Sequence, residues 1–115
     1  MKIVKLENAG DVVRLACEGE VTQQSLASGR DELREVLGPD GFKSPVLLSL
    51  ASATYLDSSG ISWLVIAHKH CVQAGGRLVI HSVPPLIDQV LRLLRMHTVL
   101  HLAANENAAR ALFLT

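Results

Sequence analysis

The sequence has 115 residues, the length of one ordinary domain, and 49% of them are hydrophobic, so we expect one packed domain over residues 1–115. Eleven basic residues balance eleven acidic ones and aromatic residues make up only 3%, which argues against nucleic-acid and anionic-membrane partners. The N-terminus lacks a signal-peptide pattern and no apolar segment is long enough to span a membrane, so a cytoplasmic protein is expected.

The first third of the chain predicts a hairpin and then a helix. Apolar and charged residues alternate at 4–7 and 13–18, and the turn-forming residues 8–11 lie between them, which predicts two antiparallel strands. Thr22 is a suitable N-cap for a helix that Gly38 and Pro39 would end. One side of this helix is apolar, at Leu26, Leu33, Val36 and Leu37.

The rest of the chain alternates between strands and helices three times. The predicted segments are a buried strand at 46–50, a helix from 61 to the glycines at 75–76, a strand at 78–80, a helix after Pro84, a strand at 99–102 and a helix capped by Asn105. The helix after Pro84 is expected to bury Ile87, Val90, Leu91 and Leu94.

The order of elements is therefore β-β-α-β-α-β-α-β-α. Only the first connection is short enough for a hairpin, and helical crossovers place the later strands parallel. The fold class is α/β, with a mixed, mainly parallel sheet and about four helices.

The corner between the strand at 46–50 and the helix from 61 carries the candidate chemistry. Asp57 is placed to cap the helix, Ser58 and Ser59 follow it, and Gly60 would leave the backbone uncovered. Such a corner lies outside the carboxyl end of a strand, where α/β proteins place their sites. Free amides and the helix dipole favour an anion there. Ser58 is interpreted as a capping residue, whereas a second serine, Ser59, is not needed for capping.

Enzymatic versions of this corner lack essential residues. A hydrolase elbow needs glycine where Asp57 stands, and a phosphate-binding loop needs more glycines and a lysine. A receiver domain would use Asp57 as acceptor, but it needs an acidic pair and a lysine near its last strand, and no lysine follows Lys69. With no base in evident reach, Ser59 is better suited to be a substrate of another protein than a nucleophile.

Neither the cysteines nor the histidines predict a metal or cofactor site. Cys17 and Cys71 lack metal-type spacing and are expected in the core. The five histidines are interpreted as dispersed, either solvated or held in the core, at positions 68, 70, 81, 97 and 101.

Three motifs resemble the STAS domain of anti-sigma factor antagonists over nearly the whole chain. They are Y-L-D-S-S-G-I at residues 55–61, G-G-R-L at 75–78 and S-V-P at 82–84. In that family an anti-sigma factor that is also a serine kinase phosphorylates the second serine of the motif, and a metal-dependent serine phosphatase removes the phosphate. The resemblance implies a non-enzymatic protein with Ser59 as phosphoacceptor, supported by Asp57, Ser58 and Gly60. The unphosphorylated form would bind the anti-sigma factor and free the sigma factor.

Two positions depart from the family pattern, because Thr22 and Ser49 stand where the family often has acidic residues. A docking or scaffold subunit of a signalling or transport assembly, never phosphorylated, is therefore an alternative, and a small serine-dependent enzyme is a third interpretation. Trp63 lies one turn after Ser59, with Ser62 beside it. Our hypothesis is that Ser59, Ser62 and Trp63 share one partner-binding patch with the Thr22 corner; the alternative is that Trp63 packs in the core or against another helix. As part of the patch, Trp63→Ala should weaken binding with little change in melting temperature, whereas a large loss of stability would place Trp63 in the core.

Overall fold

In the part of the chain that the structure describes, five strands form one sheet, in the order in which they occur along the chain. The computed structural model describes residues 1–27 and 31–114. The strands are β1 (Lys2–Lys5), β2 (Val13–Val21), β3 (Pro45–Leu56), β4 (Arg77–His81) and β5 (His101–Ala103). The helices are α1 (Gln23–Leu26), α2 (Glu32–Leu37), α3 (Ser58–Gln73), α4 (Pro85–Leu93) and α5 (Glu106–Ala111).

The strand directions confirm the predicted mixed sheet. β1 and β2 pair antiparallel, and the pairs β2–β3, β3–β4 and β4–β5 are all parallel. Val21 and Leu56 are register partners near the carboxyl ends of β2 and β3. Thr22 and Asp57, the first residues after these strands, therefore lie close together at the carboxyl ends of β2 and β3.

The core is aliphatic and lies on both faces of the central strand. On one face of β3, Val46, Leu48 and Leu50 belong to a large cluster that also contains residues of α2, α3 and α4. On the other face, Leu47 packs in a smaller cluster with Ala109 of α5. Burial on both faces explains why residues 46–50 read as a continuous apolar run.

The segment predicted as one helix contains two short helices. Thr22 caps α1 as predicted, through a capping box in which Ser25 N–H donates to Thr22 Oγ1 and Thr22 N–H donates to Ser25 Oγ. A second helix, α2, begins because the Asp31 side chain accepts a hydrogen bond from Arg34 N–H. Residues 28–30, in the middle of the predicted helix, lie outside the described part of the chain.

The prediction for the buried side of α4 is half wrong. Ile87 and Leu91 are buried, but Val90 is 42% exposed and Leu94 is 51% exposed. α4 connects β4 to β5, which is the last strand of the sheet and has only three residues. The sheet therefore covers one side of α4 and leaves the other side exposed. Within the described ranges, no helix combines the length and the apolar character required to span a bilayer.

Candidate functional site

Asp57 joins two helices at the corner between β3 and α3. Its Oδ1 accepts a hydrogen bond from Gly60 N–H at 2.9 Å, which confirms the predicted N-cap of α3. Its Oδ2 accepts a second hydrogen bond, at 2.9 Å, from the N–H of Gln23, the first residue of α1. One carboxylate therefore fixes the start of α1 against the start of α3.

These hydrogen bonds also favour the ionised form of Asp57. The backbone N–H of Gln23, and after it that of Gly60, lowers the pKa of the Asp57 carboxyl below its usual value. The sequence identified the cap but not the bond to Gln23. The missing signal is the parallel register of β2 with β3, which brings Thr22 and Asp57 together and cannot be read from local spacing.

Ser59 lies on a surface groove rather than beneath other side chains. Ser58 is exposed and Ser59 is partly exposed at the start of α3. The groove has a volume of about 450 Å³ and is lined by Leu26, Asp31, Ser58, Ser59, Ser62, Trp63 and Ile66. The structure thus brings Ser59, Ser62 and Trp63 together along one groove, as the helical spacing predicted.

Thr22 lies on the other side of Asp57, in a second groove of about 560 Å³. The lining of this second groove consists of Glu20, Thr22, Gln23, Gln24, Ala27, Tyr55 and Asp57. The Thr22 hydroxyl is engaged in the capping box of α1. Thr22 is therefore near the Ser59 groove but does not line it, and a shared role in partner binding stays a prediction.

Gly60 has a different role from the one expected. It is buried, and a Cβ atom at this position would collide with the carbonyl oxygen of Val21 and the Cδ1 of Leu56. Its N–H is bonded to Asp57, so the backbone is not left uncovered for an anion. Glycine at this position instead lets the first turn of α3 approach the end of β2.

Trp63 contributes to both the core and the groove. It is half-buried and packs against the large core cluster, and it also lines a small cavity with Leu33 and Phe42. These contacts favour the alternative that Trp63 is partly a core residue, in which case removing its ring would cost stability.

Two apolar residues of the groove were missed at the sequence level, Leu26 and Ile66. Ile66 is 51% exposed and follows Ser59 by seven residues, which is two helical turns, so the helical period alone would have placed it beside Ser59. Leu26 belongs to α1, and its approach to α3 depends on the tertiary pairing of β2 with β3.

Among the described residues that line the two grooves, the charged side chains are acidic, and one of them, Asp31, has its Oδ2 3.5 Å from Arg34 Nε. Asp31 lines the Ser59 groove, and Glu20 and Asp57 line the second groove. No lysine or arginine occurs among the described residues that line either groove. An anion at Ser59 would accordingly find no guanidinium or ammonium partner among the residues lining these grooves.

None of the five histidines, all of them at described positions, lines the Ser59 groove. His81 is buried with its Nδ1 2.8 Å from Ser82 Oγ, and burial lowers the pKa of His81. His68 and His101 were expected to be apart, but their ring centroids are 5.4 Å from each other, because α3 and β5 approach one another in the fold. Among the residues that the structure describes, no group of three or more histidine, cysteine or acidic side chains is arranged to hold a metal ion.

Comparison with known proteins identifies the fold and a matching family. The family model described as "Mlab, STAS domain" matches residues 4–103. The structure of an anti-sigma-factor antagonist (STAS) domain protein from Planctomyces limnophilus superposes with a TM-score of 0.74, at 19% identity over 100% of both chains.

Two further solved structures share the fold. The anti-sigma factor antagonist SpoIIAA, in its unphosphorylated form, superposes with a TM-score of 0.68, at 14% identity over 98% of this chain and 97% of that one. The murine anion transporter Slc26a9, in the inward-facing state, superposes with a TM-score of 0.68, at 12% identity. This match covers 90% of the present chain but only 17% of the transporter.

Proposed function

Because the chain belongs to the STAS domain family, we propose that it is a non-enzymatic anti-sigma factor antagonist, with residues 1–115 as the regulatory domain. In the unphosphorylated state it binds an anti-sigma factor that is also a serine kinase, and the sigma factor is released. Phosphorylation of Ser59 by that kinase prevents binding, and a metal-dependent serine phosphatase restores it.

The observation that carries this proposal is the position of Ser59, whose side chain ends in the hydroxyl to be modified. It lies at the first turn of a 16-residue helix, partly exposed, on the wall of a groove that also presents Trp63 and Ile66. A kinase can reach this hydroxyl, and apolar side chains beside it offer the partner an anchoring surface. The structural likeness to SpoIIAA supports the same function.

The acidic lining of the two grooves supports a switch that acts through one phosphate. A phosphoserine carries roughly −1.5 to −2 charges at neutral pH. The dipole of α3 offsets only about 0.3–1 kcal/mol of this, and Asp57 already accepts the amide hydrogen bond of Gly60. The new charge and its bulk therefore stand on the docking surface without a cation from the grooves, and they block the partner without refolding.

The test is a pull-down from the source cells with wild type, Ser59→Ala and Ser59→Asp as baits. We expect wild type and Ser59→Ala to capture an ATPase-type kinase and Ser59→Asp to lose it. Ser52→Asp is a matched control, because Ser52 is an exposed serine on β3 that lines neither groove. Equal capture by Ser59→Asp and wild type would contradict the switch.

The likeness to a part of an anion transporter favours a second candidate function, a STAS scaffold subunit that is never phosphorylated. Thr22 and Ser49 stand where the family often has acidic residues, and this difference also favours a subunit that is never phosphorylated. In this case the captured partner would be a component of a larger assembly, and its binding would be the same for all Ser59 variants.

A further inference from the structure

The glycines and the arginine of the G-G-R-L motif line a third groove, at the opposite end of the sheet from Ser59. This amino-end groove lies where β2, β3 and β4 begin, and Val12, Pro45 and Arg77 line it there, with Phe113 from the segment after α5. Its volume is about 570 Å³, within the range of roughly 300–1,000 Å³ that small-molecule sites occupy. Ser59 follows the carboxyl end of β3, so the two grooves can be occupied independently.

The described residues that line the amino-end groove carry an excess of positive charge. Lys43, Arg77 and Arg110 contribute three positive charges, and Asp11 contributes one negative charge. The chain as a whole has a formal net charge of zero, so the excess arises from how the fold distributes the charges. An anion that approaches the molecule is therefore attracted to this end of the sheet.

The charge of Arg77 is not cancelled by a neighbouring acid. Its Nη1 donates to the carbonyl oxygen of Leu112 at 2.6 Å, which orients the guanidinium and leaves its charge in place. In the part of the chain that the structure describes, no carboxylate forms an ion pair with Arg77. A guanidinium binds a carboxylate or a phosphate through two parallel N–H groups. Arg77 is therefore an oriented anchor for either group.

Arg110 keeps part of its positive charge although it has an acidic partner. Its Nη2 donates to Glu106 Oε2 at 2.9 Å, while Glu106 Oε1 accepts from Arg14 Nε at 2.8 Å. Two guanidinium groups thus share one carboxylate, and one positive charge remains. Arg110 Nε is buried and has no hydrogen-bond partner among the described residues. A buried donor without an acceptor costs free energy, so an acceptor oxygen brought to it by a ligand would be stabilising.

Backbone contacts fix the two segments that carry Lys43 and Arg77. Arg77 N–H donates to the carbonyl oxygen of Ser44 at 3.4 Å. A Cβ atom at Gly76 would collide with the carbonyl oxygen of Phe42, so glycine allows the start of β4 to lie directly against the segment before β3. The backbone on this side of the groove is therefore in position before a ligand arrives.

We propose that the amino-end groove binds a small organic anion, with its carboxylate or phosphate group at Arg77 and Arg110. The apolar body of the ligand packs on the apolar part of the lining, which includes Val12, Pro45 and Phe113. Asp11 opposes the anion and limits its affinity. The site is separate from the proposed phosphorylation site, and the proposal does not rest on the function assigned to Ser59.

The first test is a titration of the ¹⁵N-labelled protein with phenyl phosphate and with benzoate, followed by the amide signals in NMR spectra. At least one of the two anions should shift the amides of residues 75–77 and 110–113, and leave those of residues 58–63 in place. Benzyl alcohol, which is uncharged, and inorganic phosphate alone should each bind at least about tenfold more weakly, because each lacks one half of the ligand. Equal binding of benzyl alcohol would overturn the proposal. Equal binding of inorganic phosphate would show an adventitious ion only, and the absence of shifts with both organic anions would also refute the site.

The second test removes the anchor. Arg77→Gln should weaken the anion that binds at least about tenfold, since hydrogen bonds to charged groups are lost. Arg92→Gln is the matched control, because Arg92 pairs with Asp88 on α4 and does not line the groove. Its affinity should equal that of the wild type. Equal affinity of Arg77→Gln and wild type would contradict the proposal.

Two exposed positions keep the test decisive if Arg77→Gln does not fold. Lys43 Nζ is 3.6 Å from Asp40 Oδ1, but both side chains are largely exposed, so this pair is weak and Lys43 can contribute to anion binding. Lys43→Gln should weaken the anion and Asp11→Asn should strengthen it, each by a factor of about two or more, and added salt should reduce both differences. Unchanged affinity in both variants overturns the proposal. Binding of a tetraglutamate peptide without binding of either small anion overturns it in favour of a protein partner.

Discussion

At the scale of single residues, Asp57 stabilises the starts of two helices, whereas an ordinary N-cap stabilises one. Its two oxygens accept hydrogen bonds from the first turns of two different helices, whereas Asp31 and Asn105 each cap one. We therefore expect Asp57→Ala to lower the melting temperature more than Asn105→Ala does. Thermal melts of the two variants at neutral pH provide the comparison, and an equal loss would show that the bond to Gln23 contributes nothing measurable.

The same bonds give Asp57 a predictable pH dependence. Its pKa is lowered in the folded state, so its contribution to stability is complete above the ordinary value of 3.8 and is lost as the pH falls through the folded value. In Asp57→Asn this part of the acid sensitivity should disappear. Urea unfolding at neutral and at acidic pH measures the difference between the two proteins.

Gly60 allows a second prediction at the residue scale. A methyl group at this position would meet backbone and side-chain atoms of β2 and β3, and the backbone carbonyl of Val21 cannot move independently of the sheet. Gly60→Ala is expected to cost about 1–3 kcal/mol or more of unfolding free energy, as overpacked core substitutions do. Ser62→Ala, at an exposed position of the same helix, is the control and should change stability by less than about 0.5 kcal/mol.

At the scale of elements, α3 divides its side chains between the core and the groove. Leu64, Ala67 and Cys71 are buried, Trp63 is intermediate and Ile66 is exposed. Trp63→Ala should cost about 2 kcal/mol, roughly half the loss for a fully buried aromatic residue. Ile66→Gln should weaken capture of the partner while changing stability little, which denaturant unfolding and the pull-down can separate. If only Trp63→Ala affected capture, and only in proportion to its instability, the groove would not be the docking surface.

The elements also show where the sequence was informative. Local signals predicted the hairpin, the caps at Thr22, Asp57 and Asn105, and the helix that follows the corner, because period and capping depend on neighbours in the chain. The sequence did not predict that α1 and α2 are separate helices, because Leu26 and Leu33 keep helical spacing from one to the other. The exposure of Val90 and Leu94 was hidden for another reason: periodicity finds an apolar side of a helix but not how much of it the sheet covers.

At the scale of the whole molecule, the candidate site depends on long-range order more than on its own motif. The D-S-S-G motif predicted Ser59, and helical spacing placed Ser62 and Trp63 beside it, but the groove also needs Leu26 and Asp31 from the segment between β2 and β3. These residues reach α3 only because β2 and β3 are parallel neighbours. A motif therefore locates the hydroxyl, and the sheet topology supplies the surface on which a partner can act.

The folded state as a whole should lose stability in mild acid through the imidazoles of His81, which is buried, and His101, which is partly exposed. Burial lowers the pKa of His81, and burial together with Arg77 and His68 lowers the pKa of His101. Both groups therefore bind protons more readily in the unfolded chain, and their contribution is complete above the unfolded value of 6.5 and is lost as the pH falls through the folded values. Each contributes a slope of at most about 1.4 kcal/mol per pH unit.

His81→Asn should reduce this slope while leaving His101 to titrate. Asn at position 81 cannot gain a proton, and the other charged groups near the imidazole, Glu106 and Arg14, remain paired with each other at 2.8 Å. Urea unfolding from neutral pH down to the region below 6.5 gives the slope for each protein. An unchanged slope in His81→Asn would mean that His81 is protonated equally in the folded and unfolded states, in spite of its burial.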